Sequence, residues 1–209
     1  MHKGQTVVDL WGGYKDVGSR LPWEENTLVC VMSVSKAIAS LAVLSLADRG
    51  ILDIDQPISR YWPEFSKQGK GCITIRCMLA QLAGIPVADS APEGSLYDKD
   101  IVVRALEEQK PLWEPGTTPC YHSFTHGILC QQIIYKCTGK SLSAYLKNEL
   151  FKEIDVDFFL EMNSEQVARC ADIIISNGVP TLVGVSTSGS LLSRAWKPLP
   201  KVANIFQDE

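Results

Sequence analysis

Residues 27–50, TLVCVMSVSKAIASLAVLSLADRG, change their apolar period at the centre, and that change constrains the fold more than any other feature of the chain. Thr27 to Met32 is a short valine-rich run with the composition of a buried strand. From Ser33 onward, Val34, Ile38, Leu41, Ala42 and Leu46 return to one side of a helix, and Gly50 after Asp48-Arg49 marks its C-terminal end. Ser33-Val34-Ser35-Lys36 stands at the junction. The ordinary reading of Ser33 is a helix cap, because a serine hydroxyl satisfies an orphan N–H. The chemical reading is a nucleophile. A lysine three residues on projects from the same side of the first turn, with Cβ atoms about 5–6 Å apart. A lysine partly buried among Val29, Val31, Met32, Val34 and Ile38 gives up its proton more readily and can serve as the base that a nucleophilic serine needs. Ser-Lys pairs are one of the recurring forms of nucleophilic catalysis.

The rest of the chain surrounds this junction with helices. Residues 5–12 (QTVVDLWG) read as a strand closed by Gly12-Gly13, and residues 16–26 as a loop. An extended connector, Ile51 to Pro57, leads into Ile58 to Trp62. Helices are predicted over 75–82, stopped by Gly84 and Pro86, and over 99–109, 123–138 and 141–153. Trp113-Glu114-Pro115-Gly116-Thr117 is a turn. Gly178-Val179-Pro180 and residues 186–193 read as loop, and the last fifteen residues show no period. Two strands cannot make an independently stable sheet, so others are expected to pair with them.

Composition excludes several classes of function. A net charge of -4, with no cluster of lysine or arginine, is the wrong sign for a nucleic-acid surface. The longest apolar run, Ile38 to Ala47, is broken by two serines and is too short to span a bilayer. The N-terminus shows no signal-peptide pattern, so a cytoplasmic location is expected. Seven cysteines at irregular spacing, without a CxxC pair, fit reduced thiols better than disulfides or zinc. His122 and His126 stand four residues apart, but Ser123-Phe124-Thr125 between them lacks the glutamate of a zincin, and neither histidine has an assignable role.

Three blocks carry a resemblance: MSVSKAIASLAVLSLADRGILDIDQPISRYWPEF, then ITIRCMLAQLAGIP, then WEPGTTPCYHSFTHGILCQQIIYKCTGKSL. In this order they resemble the serine hydrolases related to class C β-lactamases and penicillin-binding proteins, and most of all their family VIII carboxylesterase branch. S-x-x-K is that superfamily's nucleophile motif. The resemblance implies an α/β (α+β) fold of β-lactamase/transpeptidase type, present here in part. A sheet remnant with the nucleophile helix is expected at residues 1–60, a helical subdomain at 61–170, and an irregular tail at 171–209 leading toward the rest of the sheet. It also implies a cleft with Ser33 at its base and Tyr121 on the facing wall.

Residue by residue, Ser33 matches the acylated nucleophile, Lys36 its activating lysine, and Tyr121 the tyrosine that moves the proton between Ser33 and the leaving group. Ser123 stands where the lactamases carry the asparagine of Y-x-N, which tilts the substrate toward esters. Trp113 is expected to flank the substrate. The family's third motif, a K-T-G or H-x-G triplet on a C-terminal strand, has no match. Lys136 to Lys140 reads as a helix end, and Gly184 to Gly189 does not fit a nucleophile elbow. The chain therefore reads as a family member shortened at both ends. No cofactor or metal is expected, and the implied partner is a small ester or amide. The competing reading is a non-catalytic member that binds a partner or self-associates through an uncovered sheet edge; β-lactamase or D-peptidase activity is a further alternative.

Overall fold

The computed structural model describes residues 1–173 and 191–196, so the loop reading of residues 178–180, most of the serine-rich 186–193, and the final stretch fall outside the described residues. The described residues fall into two compact units, one of residues 1–32 and 155–173, the other of residues 33–154 and 191–196. These bounds differ from a division at residues 60 and 170 because the nucleophile helix packs on helices from the middle of the chain.

In the first unit, β1 (Tyr14–Asp16) pairs antiparallel with β2 (Leu21–Pro22). The Asp16 carboxylate accepts from the Ser19 amide at 3.0 Å and from its hydroxyl, which ties the turn and holds the carboxyl below its ordinary value. Helix α6 (Ser164–Ala168) begins with a capping box, with Asn163 and Gln166 each accepting from the other's amide at 2.9 Å. Leu28 makes a single parallel bridge to Cys170.

Both predicted strands are thereby corrected. Among the described residues, 5–12 form no ladder, and the hairpin lies at 14–22, overlapping the stretch 16–26 read as loop. The run 27–32 contributes only the Leu28 bridge, and Val29, Val31 and Met32 are exposed. A valine-rich sequence records side chains suited to a pleated, buried surface, but a strand exists only through its partners.

The second unit is helical and carries the core. After a single turn of 3-10 helix at Met32–Val34, α1 runs Ser35–Asp48. Its Ala39, Ala42, Val43 and Leu46 are buried, and it packs on α4 (Thr125–Thr138) and α5 (Leu142–Tyr145). Leu129, Cys130, Ile133 and Ile134 of α4 are buried with them. The single stripe expected over Val34, Ile38, Leu41, Ala42 and Leu46 is split, since Ala42 and Leu46 are buried while Val34, Leu41 and Leu44 lie on an equally apolar outer side, 62%, 46% and 42% exposed. Ser45 Oγ bonds Tyr145 Oη at 2.9 Å, and Arg49 pairs with Glu149 at 3.1 Å. Gly50 closes the helix at φ 68°.

Three of the remaining helices start on a side-chain cap. Helix α2 (Ile75–Leu79) is capped by Thr74 through the Cys77 amide at 3.0 Å, α3 (Lys99–Glu108) by Asp98, and α5 by Ser141. Trp62 and Phe65 lie in the core with ring centroids 5.0 Å apart. Lys70 is buried beside them. Its ammonium donates to the carbonyls of Lys67, Glu107 and Gln109 at 3.0, 2.8 and 2.7 Å. The ammonium thus satisfies a kink and the orphan C-terminal carbonyls of α3 together. Residues 85–91 bury Ile85, Val87, Ala88 and Ala91. Beyond them, α7 (Leu191–Trp196) is tied down by Arg194, whose guanidinium grips both oxygens of Asp89.

Candidate active site

Ser33 is not a cap. Helix α1 starts two residues later, its cap position is Val34, and no side chain closes it. Met32 takes a left-handed backbone (φ 47°), unusual for a non-glycine residue, and so turns the extended run into the 3-10 turn that presents Ser33. The Ser33 hydroxyl bonds Lys36 instead, with Nζ to Oγ 3.3 Å, as the i, i+3 spacing on one helical face allows. Tyr121 Oη donates a short hydrogen bond to the same Oγ. The Lys36 ammonium also lies 4.8 Å from the centroid of the Tyr121 ring. Residues from two separate stretches of the chain thus meet at one oxygen, all within the second unit.

The electrostatics of the group favour proton movement. Burial raises the Tyr121 phenol's hold on its proton, but its bonds with Ser33 and Lys36 and the nearby ammonium charge outweigh burial, leaving it below the ordinary 10.0. Behind Lys36 the interior is kept uncharged. His126 is buried, with Nε2 3.4 Å from Ser40 Oγ. Burial first, then the charges of Lys36 and His122, push it down to about 4. His122 is also buried and lowered by burial; its Nδ1 lies 2.6 Å from the Cys120 carbonyl oxygen, as a donor must.

Ser123 lies two residues beyond Tyr121 and is half-buried, immediately before α4. Trp113 is half-buried in its turn, with Nε1 donating to the Thr118 carbonyl at 3.0 Å. Lys136 to Lys140 is a helix end: Gly139 caps α4 at φ 71°, and Lys136 pairs with Glu64. Residues 184–189 lie outside the described residues. Among the described residues no cluster of three histidines, cysteines or acids is placed to hold a metal, and no helix is long and apolar enough to cross a membrane. All seven cysteines are free thiols; Cys30 and Cys72 are exposed, and burial pushes Cys130 up to about 12.

One residue of this neighbourhood went unread in the sequence. Gln81, in a left-handed backbone (φ 58°), accepts from the Cys120 amide through its carbonyl at 3.2 Å and from the His122 amide through Oε1 at 2.7 Å. Its only sequence signal is its place just before the Gly84 stop.

The chain belongs to the beta-lactamase family, whose pattern matches residues 1–178. The fold agrees: a family VIII carboxylesterase crystal structure superposes with a TM-score of 0.76 at 34% identity, over 80% of this chain and 47% of its own. A penicillin-binding protein homologue from Caulobacter crescentus gives 0.80 at 26% identity, over 91% of this chain and 52% of its own. By sequence, the esterase/beta-lactamase LipL of Mycobacterium tuberculosis (strain ATCC 25618 / H37Rv) is 31% identical over 154 residues, which are 74% of this chain and 36% of that protein. The chain therefore spans about a third of that curated relative and about half of the solved structures.

Proposed function

We propose that this chain carries the nucleophile, base and proton-relay residues of an esterase-type serine hydrolase. Ser33 Oγ attacks the carbonyl carbon of an ester, forming the new C–O bond as its proton passes to the Lys36–Tyr121 pair. The tetrahedral intermediate then expels the alcohol, which takes that proton through Tyr121, and water hydrolyses the acyl-enzyme by the same route in reverse. The observation that carries this reading is the convergence of Tyr121 Oη and Lys36 Nζ on Ser33 Oγ. Lys36 favours the phenolate by charge, so Tyr121 and Lys36 act as one base. Ser123 in place of an asparagine, and relatives described as a carboxylesterase and an esterase/beta-lactamase, support an ester over a β-lactam as substrate.

The test is intact mass after treatment with a fluorophosphonate, run beside Ser33→Ala, with turnover of p-nitrophenyl butyrate. One adduct lost in the variant, with turnover, supports a working hydrolase. An adduct without turnover means an activated serine that lacks oxyanion donors, each worth about two to three orders of magnitude in rate. No adduct on folded protein ends the reading.

A second reading has its own support. Val29, Val31 and Met32 expose apolar side chains in the first unit, as a non-catalytic family member that binds a partner or a second copy would. Concentration-dependent sedimentation, abolished by Val29→Asp, is its expected signature.

A further inference from the structure

The segment that delivers Tyr121 has no regular structure of its own. Residues 109–124 contain neither helix nor strand, yet Tyr121 must hold its hydroxyl on Ser33 although its ring is 52% exposed. Something outside the ring has to fix the backbone.

The turn after α2 does so by a series of bonds. The Leu112 amide donates to the Gly84 carbonyl at 2.8 Å, the Gly116 amide to Leu82 at 2.9 Å, and the Cys120 amide to Gln81 at 3.2 Å. At Tyr121 itself the grip closes from both sides. Gln81 receives the preceding amide, of Cys120, on its backbone carbonyl, and the following amide, of His122, on its side-chain Oε1. The His122 ring completes the lock by bonding the Cys120 carbonyl at 2.6 Å. Gln81 achieves this reach in a left-handed backbone conformation that costs a residue with a Cβ of order 1 kcal/mol or more. That conformation closes α2, letting the Gln81 and Leu82 amides donate to the Met78 and Cys77 carbonyls at 3.0 and 2.9 Å; a glycine would do this at lower cost but would lack the side-chain acceptor for the His122 amide.

We infer that Gln81 is a positioning residue for catalysis: by clamping the two amides that flank Tyr121, it holds the tyrosine hydroxyl on Ser33. This rests on the reading of Tyr121 as the proton-carrying residue. Gln81 touches neither substrate nor Ser33 and acts only through the Tyr121 backbone. Without the side-chain acceptor the His122 amide is released, the loop loses one of its two anchors at this point, and the hydroxyl leaves Ser33. Misplacement by about 1 Å at such a contact slows reaction by up to about a hundredfold.

The experiment compares Gln81→Met, which keeps volume and removes the acceptor, with Gln81→Glu, which keeps an acceptor oxygen. Thr74→Ala is the control, weakening α2 at its cap without touching the Tyr121 segment. Two readouts are taken: the phenol titration of Tyr121, as a difference against each protein's Tyr121→Phe counterpart, and the rate of fluorophosphonate labelling of Ser33. In the parent, Tyr121 titrates below 10. In Gln81→Met it returns to about 10 or above and labelling slows roughly tenfold to a hundredfold. Gln81→Glu restores most of the labelling rate, and Thr74→Ala moves neither readout. A Gln81→Met protein that titrates like the parent, or a Thr74→Ala protein that shifts as far, overturns the inference. The two readings separate cleanly. If the parent is never labelled but Tyr121 shifts in Gln81→Met, the positioning stands and the hydrolase falls. If the parent is labelled and turns over but Gln81→Met changes nothing, the reverse holds.

Discussion

Tyr121→Phe removes one oxygen and almost nothing else. The hydroxyl bonds Ser33 Oγ and interacts with Lys36, while the ring's contact with the Lys36 ammonium, 4.8 Å from the centroid, does not need the oxygen. Half the side chain is exposed, so the substitution is expected to change stability by no more than about 0.5 kcal/mol. The kinetic loss should be far larger. A positioned acid–base group contributes about a hundredfold to ten-thousandfold. That corresponds to about 3–5 kcal/mol of transition-state stabilisation, several times the stability change. The assay is single-turnover acylation and steady-state hydrolysis of p-nitrophenyl butyrate from acid to alkaline pH, with urea unfolding of the same samples. In the parent, raising pH converts the phenol to phenolate, so acylation rises along a limb whose midpoint lies below 10, as the lowered value of Tyr121 requires. In Tyr121→Phe that limb disappears and the plateau falls by at least a hundredfold. If acylation stays within a few-fold of the parent with the limb intact, Lys36 alone is the base and the paired-base argument is wrong. If stability falls by several kcal/mol, the exposed-ring argument is wrong instead.

Other perturbations probe the frame. Lys70→Met fills the same space but leaves the Lys67, Glu107 and Gln109 carbonyls without their donor; at about 1 kcal/mol each the loss is at most about 3 kcal/mol in urea melts, and a loss under about 1 would mean that water replaces the ammonium. Gly84→Ala sets a Cβ 2.9 Å from the Trp113 carbonyl at φ +71°, so it should destabilise by about 1–3 kcal/mol; an unchanged urea midpoint would mean that the Pro111–Trp113 turn shifts freely. His126, held down to about 4 against 6.5 in the unfolded chain, binds fewer protons folded than unfolded between those values. Stability should therefore fall as pH drops from about 6.5 toward 4, and His126→Phe should flatten that slope; an equal slope in both proteins rejects the assignment. Asp89→Asn breaks the two-pronged grip of Arg194 and should make α7 more open to limited proteolysis, which an unchanged cleavage pattern would contradict.

What could be read from the sequence follows from which interactions are local. Caps and stops are encoded within a few residues, so Thr74, Asp98, Ser141 and Gly139 mark their helices close to where the structure starts or ends them. Ser33 and Lys36 were legible as a pair because three residues along one chain is a distance that helix geometry fixes. Tyr121 became a candidate only through family resemblance, since nothing in Tyr121-His122-Ser123 says what lies 88 residues away. Gln81 stands inside a block that carries the resemblance, yet nothing local gives it a role, because its partner His122 lies 41 residues on. The strands failed in the opposite direction. Their composition was read correctly as strand-like, but pairing is settled by partners elsewhere, and within the described residues Leu28 meets only one. The helix at residues 164–168 was missed because five residues offer too short a period, leaving the Asn163/Gln166 box as its one mark.

Helix α1, apolar on both its sides, has a consequence for how the Ser33–Lys36 pair meets Tyr121. A helix with one greasy face is oriented by burial, because rotating it about its axis would put polar residues inside. Rotating α1 would exchange Val34, Leu41 and Leu44 for Ala39, Val43 and Leu46, a swap of like for like. Its azimuth must come from the few polar atoms set into the run: Ser40 against His126, Ser45 against the Tyr145 hydroxyl, and Arg49 against Glu149. These act as a polar residue does in an otherwise uniform coiled-coil seam, which fixes register rather than adding cohesion. The serines that interrupt the apolar run help set the angle at which Ser33 and Lys36 together face Tyr121.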